Sequence, residues 1–175
     1  MPLAAIALGA NLPSPAGPPD ATLAAALQHF ASLGRIAARS SLYSTAPVGF
    51  SDQPRFLNAV IALETDLAPR PLLDALLSIE RRFGRDRSAA LSNGPRTLDL
   101  DLLLYDDLVL SEFNLEIPHP RLAQRAFVLI PLAEIAPHAV DPRSGLTAAQ
   151  LLANLAPAAD PSAAVRIASP YWPSD

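Results

Sequence analysis

Two aspartates, Asp99 and Asp101, stand in the middle of the leucine-rich run GPRTLDLDLLLYDD at residues 94–107. A carboxylate among leucines is costly to bury unless a cation or hydrogen-bond donors compensate its charge. On a β-strand, residues two apart point to the same side and lie about 6.5–7 Å apart, so both carboxylates should share one face. The opposite face, expected to enter the core, then carries leucines only: Leu98, Leu100, Leu102 and Leu104.

The spacing of the two carboxylates suggests a metal site. At that separation and an effective dielectric constant near 20, they repel each other by roughly 2–3 kcal/mol. A divalent cation reverses the sign of this energy, and carboxylates completed by water and substrate phosphates are usual Mg²⁺ ligands. Two metal ions about 3.5–4 Å apart could bridge such a pair and hold a phosphoryl group in line. The alternation fits equally well a half-exposed strand whose aspartates face solvent.

The basic residues favour the metal interpretation. All 13 are arginine, and the absence of lysine excludes a Walker A loop and Schiff-base chemistry. Seven of them fall between residues 81 and 125, the window that also contains the aspartates: Arg81, Arg82, Arg85, Arg87, Arg96, Arg121 and Arg125. The planar guanidinium group is suited to bidentate contact with phosphate. Together these residues predict metal-assisted chemistry on a phosphate.

Length, composition and charge limit the remaining possibilities. A chain of 175 residues, half of them hydrophobic, is long enough for one domain with a real core. The net charge of −4 argues against a general nucleic-acid binder, and the absence of cysteine excludes disulfides, thiolate metal sites and a cysteine nucleophile. The opening MPLAAIALGANL lacks the basic start of a signal peptide and is better interpreted as a buried strand. We therefore expect a cytoplasmic protein with neither nucleic-acid nor membrane partners.

The order of predicted elements indicates the fold class. Apolar runs and turn residues predict strands at 3–9, 36–44, 56–65 and 97–105, and helices at 20–34, where Asp20 would be the cap, and from Pro69 or Pro71 to Phe83. This βαββαβ order predicts an α+β, ferredoxin-like sandwich, an antiparallel sheet with helices on one face and the other face left for loops and a site. Additional short helices are expected near 121–125, 131–136 and 147–154.

The ends of this scheme carry further expectations. Residues 108–112 are expected to pair back onto the strand at 97–105 through a turn. Residues 1–160 are expected to form a single domain, followed by a proline-rich C-terminal tail at 161–175, and the Pro- and Ala-rich segment from about residue 156 is expected to be loosely packed. Within the second helix, Glu80 follows Leu76 by four residues and Leu73 by seven, so its carboxylate lies at or beside the buried stripe. Three scattered histidines do not assemble a zinc site, and His119 alone is more typical of a turn.

Several motifs in register resemble the 6-hydroxymethyl-7,8-dihydropterin pyrophosphokinase family. They are ALGANL, YSTAPVGFSDQPRFLNAVIALET, IERRFGRDR, GPRTLDLDLLLYDD and IPHPRLAQRAFVLIPLAEIAP, and they span about residues 3–137. The resemblance implies transfer of the pyrophosphoryl group of ATP to the hydroxymethyl group of the dihydropterin, with release of AMP, in folate biosynthesis. It implies small-molecule substrates only, and we expect a monomer.

The resemblance also implies roles for particular residues. Asp99 and Asp101 would hold two Mg²⁺ ions. Catalytic roles fall to Arg85, Arg87 and Arg96, and ATP contacts to Arg87, Arg96, His119 and Arg125. The pterin would stack between Phe56 and Phe127, although the two rings alone fit core packing better. Its edge would bond to Asn58, and the further substrate-binding positions are Thr45, Val48 and Glu80.

Two alternatives stay open, and departures from the family pattern favour only the second of them. Asn93 stands directly before GPR, where an aromatic residue is common, and the loop at 88–93 differs in length and charge, which puts its ATP contacts in doubt. One alternative is another two-metal transferase, which would use ATP without depending on a pterin. The other is a domain that binds Mg-nucleotide without turnover.

Overall fold

The computed structural model describes residues 1–49, 51–88, 94–155 and 164–172. The main sheet contains the antiparallel strands β1 (Leu3–Ala10), β2 (Arg35–Arg39), β3 (Leu42–Thr45), β4 (Phe56–Glu64), β5 (Asp99–Tyr105) and β10 (Ala164–Ile167). Their order is β10-β3-β4-β1-β5, and β2 pairs with β4 beyond the end of β3. Asn93 and residues 89–92, which carry most of the predicted loop departure, lie outside the described residues.

Helices pack on both faces of this sheet. They are α1 (Pro19–Phe30), α2 (Pro69–Arg82), α3 (Ala126–Ile135) and α4 (Ala148–Leu155), with a short 3-10 helix at Leu122–Gln124. α1 and α2 bury their apolar side chains in one hydrophobic cluster, and α3 and α4 in a second. The ferredoxin-like α+β class is confirmed, and α3 and α4 cover part of the face that was expected to hold only loops and a site. None of the helices within the described ranges is long and apolar enough to cross a lipid bilayer.

The strand predicted at 36–44 is interrupted at Ser40 and Ser41, between β2 and β3. The Ser40 N–H donates to the Val60 carbonyl at 2.9 Å, but the Val60 N–H donates to the Ser40 hydroxyl, also at 2.9 Å. The Ser40 carbonyl instead accepts the indole N–H of Trp172 at 3.0 Å. The serine side chain therefore replaces its own carbonyl in the ladder, which frees that carbonyl for the C-terminal segment.

A second irregularity lies where β1 pairs with β5. The register shifts between Ala5 and Ile6, which leaves Leu103 as an extra residue in β5. Leu103 and Leu104 consequently both belong to the α3 side, whereas Leu102 belongs to the α1 and α2 side. The prediction that Leu104 shares the face of the preceding alternate leucines is wrong, because a β-bulge breaks the period of two.

Two small hairpins complete the described structure. β6 (Leu110–Glu112) pairs with β7 (Leu115–Ile117), and β8 (Val140–Asp141) pairs with β9 (Leu146–Thr147). The expectation that residues 108–112 pair back onto the strand at 97–105 is wrong. The tight turn at Asn114, whose φ is 56°, closes a separate hairpin instead.

The C-terminal segment at 164–172 is integrated into the fold, so the expectation of loose packing is wrong for these residues. β10 pairs antiparallel with β3, and Trp172 is only 5% exposed within the main core. The Ser169 hydroxyl donates to the Asp20 carboxylate at 2.8 Å. Asp20 was expected to cap α1, but the helix starts at Pro19, and Asp20 holds the C-terminal segment instead. The division into 1–160 and 161–175 stays a prediction.

Candidate active site

Asp99 and Asp101, at the start of β5, both line one cleft of about 620 Å³. Their side chains are 18% and 27% exposed, whereas Leu98 and Leu100 on the opposite face are buried. The alternation of the strand therefore separates carboxylates from leucines as its period of two requires. The cleft is also lined by residues from β1, β3, β4 and α3 and from three loops: Ala7, Leu8, Gly9, Thr45, Ala46, Val48, Phe56, Asn58, Arg96, Arg121, Arg125, Phe127 and Val128.

Arginines compensate the charge of Asp99. Nη1 of Arg96 lies 2.7 Å from Oδ2, within hydrogen-bond distance. On the other oxygen, Nη2 of Arg87 lies 3.6 Å away and Nη2 of Arg85 3.8 Å away. Burial lowers the pKa of Arg85, while Asp99 opposes that shift. Three arginines thus stabilise one half-buried carboxylate. Their charge offsets the free energy that is lost when a carboxylate is placed beside the core.

Asp101 has a different set of partners. Nη1 of Arg125 donates to its Oδ2 at 3.1 Å, and Nε2 of His119 lies 3.9 Å from the same oxygen. Burial, and then repulsion from Asp99, raises the pKa of Asp101. Burial also lowers the pKa of His119, and its Nδ1 accepts the backbone N–H of Arg121 at 3.1 Å. Because Nδ1 accepts this hydrogen bond, a neutral His119 imidazole carries its proton on Nε2, the nitrogen that lies on the side of Asp101.

Glu80 is 1% exposed and is held by three donors. Nε and Nη2 of Arg87 donate to its two oxygens at 2.8 and 2.7 Å, and the Leu100 N–H donates at 2.8 Å. Burial raises the pKa of Glu80, and its bonds to Arg87 and Leu100 oppose that shift. Glu80 is not among the residues that line the cleft, so its predicted contact with substrate stays a prediction. In the structure it fixes Arg87 and ties α2 to β5.

Two buried polar side chains form the floor of the cleft on β3 and β4. The Asn58 amide donates to the Thr45 hydroxyl at 2.6 Å, and the two residues are 7% and 3% exposed. A Cβ at Gly9 would lie 2.9 Å from Oδ1 of Asn58, so only glycine leaves this amide in place. Donor and acceptor groups on one rigid amide suit the edge of a heteroaromatic ring.

Phe56 and Phe127 each lie beside an arginine of the aspartate network. The guanidinium carbon of Arg96 is 5.4 Å from the centre of the Phe56 ring, and that of Arg125 is 5.6 Å from the Phe127 ring. Both rings are half-buried and line the cleft. Phe127 also packs against the α3-side cluster. Cation–π contact at these distances couples the aromatic walls to the charged part of the site.

Asn11 is a residue that the sequence analysis missed. Its buried amide donates to Oε1 of Gln53 and to the Pro54 carbonyl, both at 3.0 Å, and accepts the Arg96 N–H at 2.8 Å. The backbone N–H of Asn11 also donates to the Arg96 carbonyl at 3.0 Å. Asn11 therefore fixes the segment before Phe56 relative to Arg96. Its place directly after an apolar strand was the available signal, but its partners are far away in sequence.

Some buried donors of the site have no acceptor among the residues that the structure describes. Nε of Arg85 and Nε of Arg125 are buried without a hydrogen-bond partner in the described part of the chain. Buried N–H groups are rarely left unpaired, so an oxygen-bearing substrate is a natural partner for both. Within the same residues no three histidine, cysteine, aspartate or glutamate side chains form a metal-binding cluster. The protein offers a cation two aspartates, and Mg²⁺ commonly takes its other ligands from water and phosphates.

Comparison with known proteins gives a consistent result. The model of the 7,8-dihydro-6-hydroxymethylpterin-pyrophosphokinase family matches residues 5–137. The 2-amino-4-hydroxy-6-hydroxymethyldihydropteridine pyrophosphokinase of Pseudomonas aeruginosa is 49% identical over 134 residues, which cover 75% of this chain and 79% of the relative. The enzyme of the same name from Methylorubrum extorquens is 43% identical over 164 residues, covering 93% and 96%.

A solved structure supports the fold. The wild-type HPPK-DHPS of Plasmodium falciparum superposes with a TM-score of 0.69 over 87% of this chain at 16% identity. The match covers 44% of that longer chain, so this chain spans less than half of it. At this identity the likeness concerns the fold alone.

Proposed function

The chain belongs to the 7,8-dihydro-6-hydroxymethylpterin-pyrophosphokinase family, and from that premise we propose that Asp99 and Asp101 hold two Mg²⁺ ions for its reaction. The reaction is transfer of the pyrophosphoryl group from ATP to 6-hydroxymethyl-7,8-dihydropterin, in folate biosynthesis. Transfer of that group from ATP leaves AMP. Membership of this family favours the pterin-dependent reaction over a transferase that does not depend on a pterin. It also favours that reaction over a domain that binds Mg-nucleotide without turnover.

The observation that carries the proposal is the pairing of two cleft-facing aspartates with arginines. Arg96 bonds to Asp99 at 2.7 Å, and Arg125 to Asp101 at 3.1 Å. Magnesium ions on the carboxylates would take over the neutralising role of these guanidinium groups, which could then bond to phosphate oxygens. Such an exchange keeps every buried charge paired before and after substrate binding, so no isolated charge is created.

When bound, the metal ions would supply neutralisation of the phosphate charge and alignment of the attacking and leaving oxygens. The chain's own groups would do the remaining work by position and charge. Arg85, Arg87 and Arg96 would stabilise charge on the transferred and leaving groups, and Arg125 and the Nε2 proton of His119 would bind ATP phosphate oxygens. Glu80 would keep Arg87 oriented by its two bonds of 2.7 and 2.8 Å.

The opposite side of the cleft suits the pterin. Phe56 and Phe127 would stack on the flat ring, while Asn58, Thr45 and the loop at Val48 would meet its polar edge. Support comes from the half-burial of both rings and from the buried Asn58–Thr45 bond, which gives the amide one orientation. The hydroxymethyl group would then point towards the phosphates between the two aspartates and Arg96.

The metal assignment is tested by Asp99→Asn and Asp101→Asn. Each change keeps the size of the side chain but removes its charge, so we expect kcat to fall by about 100-fold or more. Unfolding in urea should show that both variants remain folded. Asp107→Asn is the matched control, since that exposed aspartate lies in the turn after β5. A kcat near that of the wild type in either site variant would contradict the assignment.

The number of metal ions is tested separately. Mn²⁺ binding, followed by electron paramagnetic resonance with a non-hydrolysable ATP analogue, should saturate at two ions per wild-type chain. Saturation at one ion would contradict the two-metal proposal while leaving the reaction itself in place.

The setting of the reaction is also proposed. The proposed protein is a monomer in the cytoplasm, and its net charge of −4 supports the absence of nucleic-acid binding. Size-exclusion chromatography with light scattering at micromolar concentration tests the oligomeric state, and a mass of twice 18.5 kDa would contradict a monomer.

A further inference from the structure

The Arg121 side chain differs from those of the other arginines around the aspartates, because it has no partner among the residues that the structure describes. Arg96 and Arg125 are bonded to the aspartates, and Arg87 is bonded to Glu80. The Arg121 side chain is exposed and forms neither an ion pair nor a hydrogen bond within the described residues. It can therefore meet an anion without first giving up an existing interaction.

The charges of the site leave this arginine uncompensated. Five guanidinium groups, those of Arg85, Arg87, Arg96, Arg121 and Arg125, lie around three carboxylates, those of Glu80, Asp99 and Asp101. The carboxylates are each within 4 Å of at least one of the other four arginines, and none of them pairs with Arg121. An uncompensated cation at the wall of a cleft raises the local concentration of anions and their rate of arrival.

The position of Arg121 gives an anion room to reach it. Its side chain lines the reaction cleft and also an adjoining cavity of about 770 Å³, which Thr45, Gln124 and Ala164 help to form. Its backbone is fixed by the bond from its N–H to Nδ1 of His119 at 3.1 Å. Replacement of the side chain leaves this bond in place, so the role of the guanidinium can be tested without moving His119.

We propose that Arg121 captures the triphosphate of ATP at the entrance of the cleft and stays bound to it at the rim, apart from the atoms that react. The inference rests on the proposed function of the cleft. Arg96 and Arg125 already share donors of their guanidinium groups with an aspartate, whereas Arg121 pairs with no carboxylate of the described residues and can direct all its side-chain donors to phosphate. Its contribution is to the binding of ATP and not to the transfer step.

The test is steady-state kinetics of Arg121→Ala, with AMP as the measured product. We expect KM for Mg-ATP to rise by about 10-fold, as for a charge-assisted hydrogen bond at a half-solvated site. The kcat should stay within about threefold, and KM for the pterin should rise less than KM for Mg-ATP. Raising the salt concentration should weaken ATP binding less in the variant than in the wild type, because one phosphate contact is gone.

Two further variants test whether the effect depends on the charge of Arg121, on the planar geometry of its guanidinium group, or on its position at the cleft. Arg121→Lys keeps the charge but not the planar fork, so KM for Mg-ATP should fall between those of the alanine variant and the wild type. Arg70→Ala is the control, since Arg70 is a 39% exposed arginine that pairs with Glu112 away from the cleft. It should leave KM for Mg-ATP unchanged.

An unchanged KM for Mg-ATP in Arg121→Ala would overturn the inference, as would a large loss of kcat at constant KM. The affinity of each variant for a non-hydrolysable ATP analogue with Mg²⁺ is measured by calorimetry. This measurement tests the role of Arg121 in ATP binding separately from the proposed reaction. A wild type that binds the analogue but makes no pterin-dependent AMP contradicts the function. The ratio of affinities between wild type and Arg121→Ala still decides the role of Arg121 in that case.

Discussion

Asp99 and Asp101 are accommodated beside a hydrophobic core because arginines from separate segments reach them. Arg85 and Arg87 follow α2, Arg96 precedes β5, and Arg125 precedes α3. The types and spacing of the aspartates, together with the local density of arginine, could be predicted to form one charged cluster. Which arginine pairs with which carboxylate could not, since these partners are set by the tertiary fold and not by nearby sequence.

Asn11 and Arg121 mark the limit of prediction for single residues. Asn11 owes its role to Gln53, Pro54 and Arg96, which lie at least 42 positions away. Arg121 is one of the seven arginines between residues 81 and 125, yet only the structure shows that it lines the cleft and pairs with none of the cleft's carboxylates. A composition count gives the charge of a region, but the pairing of each arginine is a property of the structure.

At the residue scale, Asn11→Asp tests the link between the two halves of the cleft. The carboxylate has the same size but cannot donate to Gln53 and Pro54, and it would face their oxygens instead. We expect the segment before Phe56 to separate from Arg96, which should lower kcat by about 10-fold and raise KM for the pterin.

The control for this change is Asn114→Asp, in an exposed turn far from the cleft. Initial rates at varied pterin concentration measure both constants. A variant at Asn11 that loses stability in urea but keeps both kinetic constants would show that the residue serves folding alone.

At the scale of elements, one carboxylate joins the two sides of the cleft. Glu134 on α3 accepts the Ser41 hydroxyl at 2.7 Å and the Tyr43 hydroxyl at 2.9 Å, so it binds α3 to β3. Thr45 ends β3 and Phe127 lies in the first turn of α3. The bridge therefore fixes α3 relative to β3, the two elements that carry these residues assigned to the pterin.

The pH dependence of stability tests this bridge. Burial, and then the bond to Glu134, raises the pKa of Tyr43 from 10.0 to about 12. Because the folded-state pKa lies above the ordinary value, the stabilisation is present below about pH 10 and is lost as the pH rises towards 12.

Urea unfolding at pH 8, 10.5 and 11.5 measures that loss. Tyr43→Phe should be less stable than the wild type at pH 8, by about 1 kcal/mol, and the difference should shrink across this range. Burial also raises the pKa of Tyr105, so only the difference between the two proteins reports on Tyr43. A difference that stays constant up to pH 11.5 would exclude the hydrogen bond as its source.

The order of elements was predictable, whereas the irregularities within strands were not. Hydrophobic runs separated by Pro and Gly defined the order βαββαβ. The break at Ser40 depends on a hydroxyl that replaces a carbonyl in the ladder, and the bulge at Leu103 depends on pairing with β1. Both irregularities depend on how segments distant in sequence pair with each other. The alternation of hydrophobic and polar residues within one strand does not predict this pairing.

At the scale of the whole molecule, the C-terminal segment closes the core. Its Pro- and Ala-rich composition suggested loose packing, because such composition lacks a strong period. Yet β10 extends the sheet beside β3, and Trp172 enters the core and donates to the Ser40 carbonyl at 3.0 Å. The side chain of Trp172 anchors this segment in the core. The overall composition of the segment does not reveal the contribution of one residue.

Trp172→Ala should lower the free energy of unfolding by about 3 kcal/mol, since a buried indole and its hydrogen bond are lost together. Tyr171→Ala is the matched control, because that neighbouring ring is 52% exposed, and it should have little effect. Urea unfolding followed by circular dichroism measures both. Equal stability of the two variants would mean that the segment does not hold the core in solution.

The most direct test of the account is AMP formation by the wild-type chain from ATP and Mg²⁺, with and without 6-hydroxymethyl-7,8-dihydropterin. The account predicts AMP release that requires the pterin, stops when Mg²⁺ is chelated, and matches the pterin diphosphate formed one to one. Release of ADP or inorganic pyrophosphate in place of AMP, or AMP release at the same rate without the pterin, would contradict it.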